Sequence, residues 1–361
     1  MKKLLIVSDP PARPGFLPRL RYLCDYLVRK GYDVTLLTEE YQPLEFEHDY
    51  PIETIRMYNG TTFDWFIKTV WTLLTDWHDR VFAKRALLLL QGHYDAVICT
   101  AFSDFPLGAA LRIANAMNIP LICDIRDLDE QVEDSTYQYK HQLFLLKPLK
   151  ELYRAIHIKR RNKVLQAAKA VTTVSPWHAD FIKQFNEKVQ VVYNGYDEQQ
   201  FYPKDIPTDS FRIIYIGSLF DWQKPALELV RQIAEELHIT IDIHTPKLNP
   251  ISHKDLGDTI RQSGIMLVLT SPKTHGMLTT KFYEALGCEK PVLCVPSDHG
   301  ALAELMEYTH AGLATDDAEA IKAFIQEKYN EWKQNGFTRQ STQHREEFSR
   351  ETQCHQIEAL L

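Results

Sequence analysis

The stretch TSPKTHGMLTTKFYEALGCEKPVLCVPS (270–297) holds residue types whose spacing can do chemistry. An apolar strand ends at Ser271, a turn-forming loop with Gly276 follows, and Thr279 or Thr280 supplies a helix N-cap. A helix start presents unpaired N–H groups and the positive end of the peptide dipole, which together bind a phosphate without any lysine. Glu284 lies one turn further in, where a carboxylate can accept hydrogen bonds from two vicinal hydroxyls, such as those of a ribose. A second locus is LICDIRDLDEQ (121–131), in which Asp124, Arg126 and Asp127 close a strand at its carboxyl end. Catalytic groups collect at such ends, though an Arg–Asp pair there serves equally well as an ion pair that pins the loop.

These loops need a scaffold, and the chain has the grammar of one. KLLIV (3–7) is a continuous apolar strand, expected where helices cover both faces of a sheet. It reads as a buried first strand rather than as the core of a signal peptide, because a Ser-Asp-Pro-Pro turn follows at once. A helix over about 17–30, Gly31 as its cap and the strand YDVTLLT (32–38) complete a βαβ unit, hence a parallel sheet with a right-handed crossover. Further strands are predicted at 94–100, 120–127, 169–175 and 189–195. The pattern restarts at FRIIYIGSL (211–219), after the proline-bearing stretch 201–210, with a helix over 225–237 and strands at 240–245, 265–271 and 291–296. A helix over 280–288 separates the last two of these strands, and a helix-prone polar tail runs from about 317. The expected domains are 1–203 and 204–335, with 336–361 a C-terminal helix that packs back on the first. Two doubly wound sheets bind ligands at the carboxyl ends of their strands, so a cleft between them is the expected site.

Composition sets limits. The 361 residues suit two domains, and 45% apolar residues suffice for two cores. Six cysteines, scattered and without a Cys-x-x-Cys pair, read as reduced core residues of a cytoplasmic protein. Residues 1–200 carry 25 Lys+Arg and 25 Asp+Glu, so the net charge of −7 falls wholly in the remainder, which argues against nucleic-acid binding. No G-x-G-x-x-G follows either first strand, which argues against a dinucleotide-dependent dehydrogenase.

TKFYEALGCEKPVLCVPS resembles the K-x-x-E-x-x-x-x-G-K-P-V signature of retaining GT-B glycosyltransferases, broadly glycosyltransferase family 4. VVYNGYDEQQFYP (191–203) is similar to the family's N-G-x-D-x-x-x-F-x-P segment, and IIYIGSL…K (213–224) to its first C-terminal strand with a downstream lysine. VTTVS (171–175) also matches, and the Asp-x-Arg-Asp-Leu run resembles members that build bacterial surface polysaccharides. The resemblance implies two Rossmann-like halves and transfer of a sugar from a nucleotide diphosphate sugar, a UDP-sugar, with retention at the anomeric carbon. The acceptor would be a hydroxyl of a glycan or lipid-linked sugar. Glu284 would hold the donor's ribose, and His275, Gly276, Met277, Thr280 and Lys281 would lie near the diphosphate or sugar. Gly15, Gly217 and Ser218 would approach the donor, Lys224 would neutralise the leaving diphosphate, and Asp127 is the candidate catalytic group of the first half. No cofactor is implied, and no metal, since no Asp-x-Asp pair suits a metal–diphosphate. The chain departs from the pattern at Gly276, where a first glutamate would fall, at Ser218 in place of arginine, and in CTAFSDFPLG (99–108), which lacks the common histidine. These departures keep two alternatives open: a nucleotide-sugar epimerase on the same fold, and a silent donor-binding scaffold.

Residues 136–163 hold eight Lys+Arg against one acidic residue, interleaved with leucines and aromatics. An ordinary amphipathic helix with a solvated basic face accounts for this. An interfacial helix at anionic lipid, which would make the protein peripheral on the inner membrane face, also does. Trp65, Trp71 and Trp77 in 63–82 belong to core packing, or else line an acceptor groove or a membrane face.

Overall fold

A computed structural model describes residues 1–8, 17–40, 48–58, 61, 71–72, 75–102, 104–132, 147–271 and 273–361. Gly15, Trp65 and residues 136–146 lie outside these. The chain forms two compact units, Met1–Val192 with Cys354–Leu361, and Tyr193–Gln353.

The first unit is built on β1 (Lys3–Ser8), α1 (Leu17–Arg29), β2 (Asp33–Glu39), β3 (Ile52–Ile55), α2 (Trp77–Leu89), β4 (Ala96–Ala101), α3 (Leu107–Met117), β5 (Leu121–Ile125), α4 (Lys147–Ala167), β6 (Ala170–Thr173), α5 (Pro176–Ile182) and β7 (Val189–Val191). Its strands form one sheet in the order β3-β2-β1-β4-β5-β6-β7, parallel throughout. Alternate residues of each strand feed cores on opposite faces. Leu5, Val7, Val97 and Cys99 pack with α2 and α3, whereas Leu4, Ile6, Ala96 and Ile98 pack with α1, Cys354 and Ile357. Leu4, Leu5, Ile6 and Val7 are all fully buried, which explains why β1 reads as an unbroken apolar run.

The second unit contains β8 (Arg212–Ile216), α6 (Lys224–Glu236), β9 (Thr240–His244), α7 (Leu256–Arg261), β10 (Ile265–Leu269), α8 (Thr280–Gly287), β11 (Val292–Val295), α9 (Ala301–Thr309), β12 (Gly312–Ala314) and α10 (Ala318–Asn335). The parallel order is β12-β11-β10-β8-β9. The helix α11 (Arg350–Glu358) begins in this unit and ends in the first, where Tyr26 Oη donates to Glu358 at 2.6 Å.

In the second sheet the winding direction reverses once, between β8 and β10. From β8 the chain enters α6, which packs with Ile213, Tyr215 and α10 on one face. From β10 it enters α8, which packs with Ile214, Met266 and α9 on the other. The loops after β8 and β10 therefore diverge and open a crevice at the carboxyl edge. The same reversal falls between β1 and β4 in the first sheet.

Candidate functional site

Gly217 follows β8 with φ +123°, a conformation that favours glycine. A Cβ there would stand 2.5 Å from Lys281 Cε and 2.7 Å from its Nζ. The glycine thus lets a lysine from the first turn of α8 lie against the backbone just past β8. Gln223 then ties the two loops of the crevice together. Its Oε1 accepts from the Phe220 N–H at 3.0 Å, and its Nε2 donates to the Leu269 carbonyl, the end of β10, at 3.0 Å. Tyr215 Oη donates to the Ser218 carbonyl at 2.6 Å, which fixes the backbone of that residue while its side chain stays exposed.

After β10, Thr274 closes a turn on the Ser271 carbonyl, its Oγ1 donating at 2.8 Å. Gly276, at the position where a first glutamate would fall, is buried at φ +64°, a backbone conformation that favours glycine. His275 and Met277 are half-buried on either side of it. Thr279 is the N-cap of α8, its Oγ1 accepting from the Lys281 N–H at 3.4 Å, and Thr280 is the first helical residue. Lys281 and Glu284, spaced i and i+3, share one half-buried face. Burial lowers the Lys281 pKa, and Glu284 opposes this. Burial raises that of Glu284, against the guanidinium of Arg350 and then the ammonium of Lys281.

Gly217, Lys281 and Glu284 are thus brought to one edge of the sheet. Lys224 stands apart at the opening of α6, exposed and ion-paired with Asp221 at 2.8 Å. It borders a cavity of about 620 Å³ whose walls include Ser218, Leu227, Ile243, Pro246 and Leu248.

At the end of β5 the three charged residues separate by environment. Asp124 is 1% exposed and accepts from Arg19 Nη2 (2.8 Å), Thr100 Oγ1 (2.9 Å) and Thr172 Oγ1 (2.8 Å). A carboxylate engaged by these three donors ties β4, β5, β6 and α1 together. The Arg126 guanidinium lies 5.3 Å from the Phe102 ring centroid. Asp127 is half-buried, and its Oδ1 accepts from Gln131 Nε2 at 3.2 Å. Gln131 Oε1 accepts from the Leu128 N–H at 3.2 Å and pairs with His178 Nε2 at 2.8 Å, which places a proton on that nitrogen. Burial, with Arg161 nearby, lowers the His178 pKa to about 4, so the ring is neutral at pH 7. Burial raises the Asp127 pKa, opposed first by the Gln131 hydrogen bond and then by Arg126.

Two further pairs escape sequence reading because their members come from distant segments: His157 of α4 contacts Asp104, and His78 of α2 contacts Glu39. Both acidic partners follow or end a strand at the carboxyl edge of the first sheet. A third residue missed is Arg350, far along the chain from the carboxylate on which it acts.

The basic segment is partly consumed by the fold. Arg154 donates to the Asp129 carbonyl at 2.8 Å and Arg160 to that of Thr72 at 3.4 Å. Arg161, 1% exposed, holds Glu130 through two bonds of 2.7 Å. Lys159, Lys163 and Leu152 are exposed on α4. Trp71 is exposed, whereas Trp77 packs against the core. All six cysteines are buried and free. Among the described residues no helix is long and apolar enough to cross a membrane, and no three His, Cys, Asp or Glu side chains are grouped to hold a metal ion.

Solved structures share this architecture over nearly the whole chain. A glycosyltransferase from Rickettsia africae ESF-5 superposes with a TM-score of 0.63 at 13% identity, covering 99% of this chain and 97% of that one. WaaG, a glycosyltransferase involved in lipopolysaccharide biosynthesis, gives 0.58 at 12% identity, with 98% and 99% covered. Anabaena Alr3699/HepE, solved in complex with UDP-glucose, gives 0.54 at 14%, with 99% and 94% covered. At these identities the likeness is one of fold, and the fold is GT-B. No curated protein matches the sequence. The sequence model of Glycosyltransferase Family 4 matches residues 19–200, half of the chain, and the chain belongs to that family.

Proposed function

We propose that this glycosyltransferase transfers a hexose-type residue from a UDP-sugar to a hydroxyl of a glycan or lipid-linked acceptor, with retention and without a metal ion. The observation that carries the reading is the placement of Lys281 against Gly217 with Glu284 on the same face of α8, at the winding reversal of the second sheet. The start of α8 and the Lys281 ammonium supply positive charge for the diphosphate, and Glu284 accepts hydrogen bonds from the two ribose hydroxyls. His275, Gly276, Met277 and Thr280 line the approach to the phosphates and sugar, and Gly217 and Ser218 do so from the opposite loop.

Negative charge grows on the diphosphate as the glycosidic bond breaks. Dipoles and cations already in place stabilise that charge without reorganising, so a divalent metal is not required. Lys224 adds a second, mobile cation once it exchanges Asp221 for phosphate. In the first unit Asp127, oriented by Gln131, is the group that meets the acceptor hydroxyl. A UDP donor is favoured by the UDP-glucose bound in the Anabaena protein and by a similarly folded α-glucosyltransferase solved with UDP. Retention is favoured by the resemblance of the α8 region to the signature of retaining enzymes.

The test is turnover of a panel of UDP-, GDP- and ADP-sugars with glycan and lipid-linked acceptors, in excess EDTA, with the product anomer assigned by NMR. Transfer from a UDP-sugar with the donor's anomeric configuration kept is the expected result. An inverted product, a strict need for Mg²⁺ or Mn²⁺, or epimerised donor without transfer would overturn the corresponding part.

A further inference from the structure

We propose that the cavity between α6 and the turn after β9 is a second ligand site of the second unit, one that takes the chain and phosphate of a single-chain anionic amphiphile, an alkyl phosphate.

The cavity measures about 620 Å³, within the roughly 300–1,000 Å³ of small-molecule pockets. It lies at the edge of the sheet, beside β9, the last strand in the order. One wall is a stripe of α6 made by Lys224, Leu227, Glu228 and Arg231, spaced i, i+3, i+4 and i+7. The cavity is continuous with the core. Leu227 belongs to the cluster around Ile213 and Tyr215, and Leu219 and Ile243 pack against that cluster.

Another wall is the turn 245–248, which hydrogen bonds rather than burial hold in place. The Thr245 N–H donates to the Leu248 carbonyl at 2.7 Å, and Thr245 Oγ1 accepts from the Leu248 N–H at 2.9 Å. His244 Nδ1 pairs with the Asn249 carbonyl at 2.9 Å, and the His244 carbonyl accepts from the Gly217 N–H at 2.8 Å, which ties the turn to the end of β8. Leu248 nevertheless stays 53% exposed. The backbone of the turn thus keeps a leucine against an apolar cavity where its own burial would not hold it.

The chemistry of the walls selects the ligand. Leu219, Leu227, Ile243, Pro246 and Leu248 are aliphatic. Among the described residues the lining has no aromatic ring to stack on a nucleobase and no Asn or Gln to read one. An alkyl chain needs neither and gains by leaving water. Three cations, Lys224, Arg231 and Lys247, stand against one carboxylate, Glu228. This basic locus falls in the part of the chain that carries the whole net charge of −7, so it runs against the local background. Lys224 and Arg231 hold Asp221 at 2.8 Å and Glu228 at 3.1 Å in solvent-accessible pairs, whereas Lys247 is exposed on the turn beside Leu248. Lys247 therefore supplies the charge for the phosphate, and the aliphatic walls receive the chain.

Calorimetric titration with dodecyl phosphate, kept below its micellar concentration, tests this on the wild type, Lys247→Glu and Leu248→Asp. Dodecyl maltoside, with the same chain and no charge, and inorganic phosphate, with the charge and no chain, are the comparison ligands. The wild type should bind dodecyl phosphate at least about tenfold more tightly than either. Lys247→Glu should lose about tenfold, the scale of a charge-assisted contact, and Leu248→Asp should lose more. The wild-type affinity should also fall as salt is raised. Both substituted residues are exposed, so the thermal transition of each variant should match that of the wild type. Wild-type affinity in both variants, or dodecyl maltoside bound as tightly as the phosphate, overturns the proposal. So does recruitment to vesicles of phosphatidic acid by a protein that does not bind the monomer, because attachment would then be one of surface charge. Should Leu248→Asp not fold, unchanged affinity in Lys247→Glu overturns it alone.

Discussion

At the residue scale, the proposed donor site makes its sharpest predictions at Glu284 and Gly217. Glu284→Ala should weaken UDP binding by about 1.5–3 kcal/mol, the scale of hydrogen bonds to a charged group, while the thermal transition stays near that of the wild type. Unchanged affinity in a calorimetric titration would remove Glu284 from the site. Gly217→Ala tests the geometry by a different route. At φ +123° an alanine is strained by roughly 1–3 kcal/mol, and its methyl would occupy the space of Lys281 Cε. The expected outcome is a modest loss of stability with a larger loss of UDP affinity. A variant equally destabilised but with full affinity would show that the ammonium need not lie there. Lys224→Ala should lower kcat more than it raises KM, because the charge that it meets grows in the transition state. Steady-state kinetics that change only KM would make Lys224 a ground-state contact.

Whole elements carry a second kind of prediction, since buried histidines on α4 and α5 are kept neutral by the packing. His157 and His178 have pKa values near 4, against about 6.5 for a histidine in an unfolded chain. The folded pKa is depressed, so the unfolded chain binds more protons between these values. The stabilisation is fully present above about pH 6.5 and is lost as the pH falls toward 4, by on the order of 3 kcal/mol for each ring. Denaturant titrations from pH 7 to 4.5 should show this slope, flattened in His178→Gln. A wild-type slope in that variant would mean that the ring is solvated. The strands were legible because both faces of each sheet are covered: β1, β4, β5, β10 and β11 read as plain apolar runs, and the observed bounds of β5, β10 and β11 lie within the expected spans, whereas β1 and β4 each run one residue further, to Ser8 and Ala101. The edge strand β3 was not, because Ile52 and Glu53 are part-exposed and only Ile55 is buried, which leaves no apolar run to see. Among the residues of the proposed site, Glu284 is singled out by its place one turn into a helix, and Lys281 and Gly217 enter through the resemblance to the family's signature. Gln131 and His178 are not legible in the sequence, because each acts through a contact that only the folded chain creates. Lys290 teaches the converse: a lysine within the most informative motif is 2% exposed and donates to the Thr338 carbonyl at 2.8 Å, a tie within the fold.

At the scale of the molecule, charge is divided unequally along the chain, and a lipid surface would sense the division. Three arginines of 136–163 are occupied by internal bonds, so attachment to anionic lipid would rest on residues such as Lys159 and Lys163, at about 1 kcal/mol for each. Lys159→Glu with Lys163→Glu should reduce co-sedimentation with anionic vesicles at low salt and leave neutral vesicles unaffected. Equal pelleting before and after the change would leave α4 as a solvated helix. Arg161→Glu is not a usable probe of lipid, because it sets two carboxylates against each other in the core and should unfold the first unit. The course of the chain has a further consequence, for how the protein is made. Cys354 and Ile357 complete the core that begins at Leu4, yet the ribosome delivers them after the whole of the second unit. The half that emerges first must therefore wait with part of one face of its sheet uncovered, beyond the reach of α1, and the half that emerges later can finish before it.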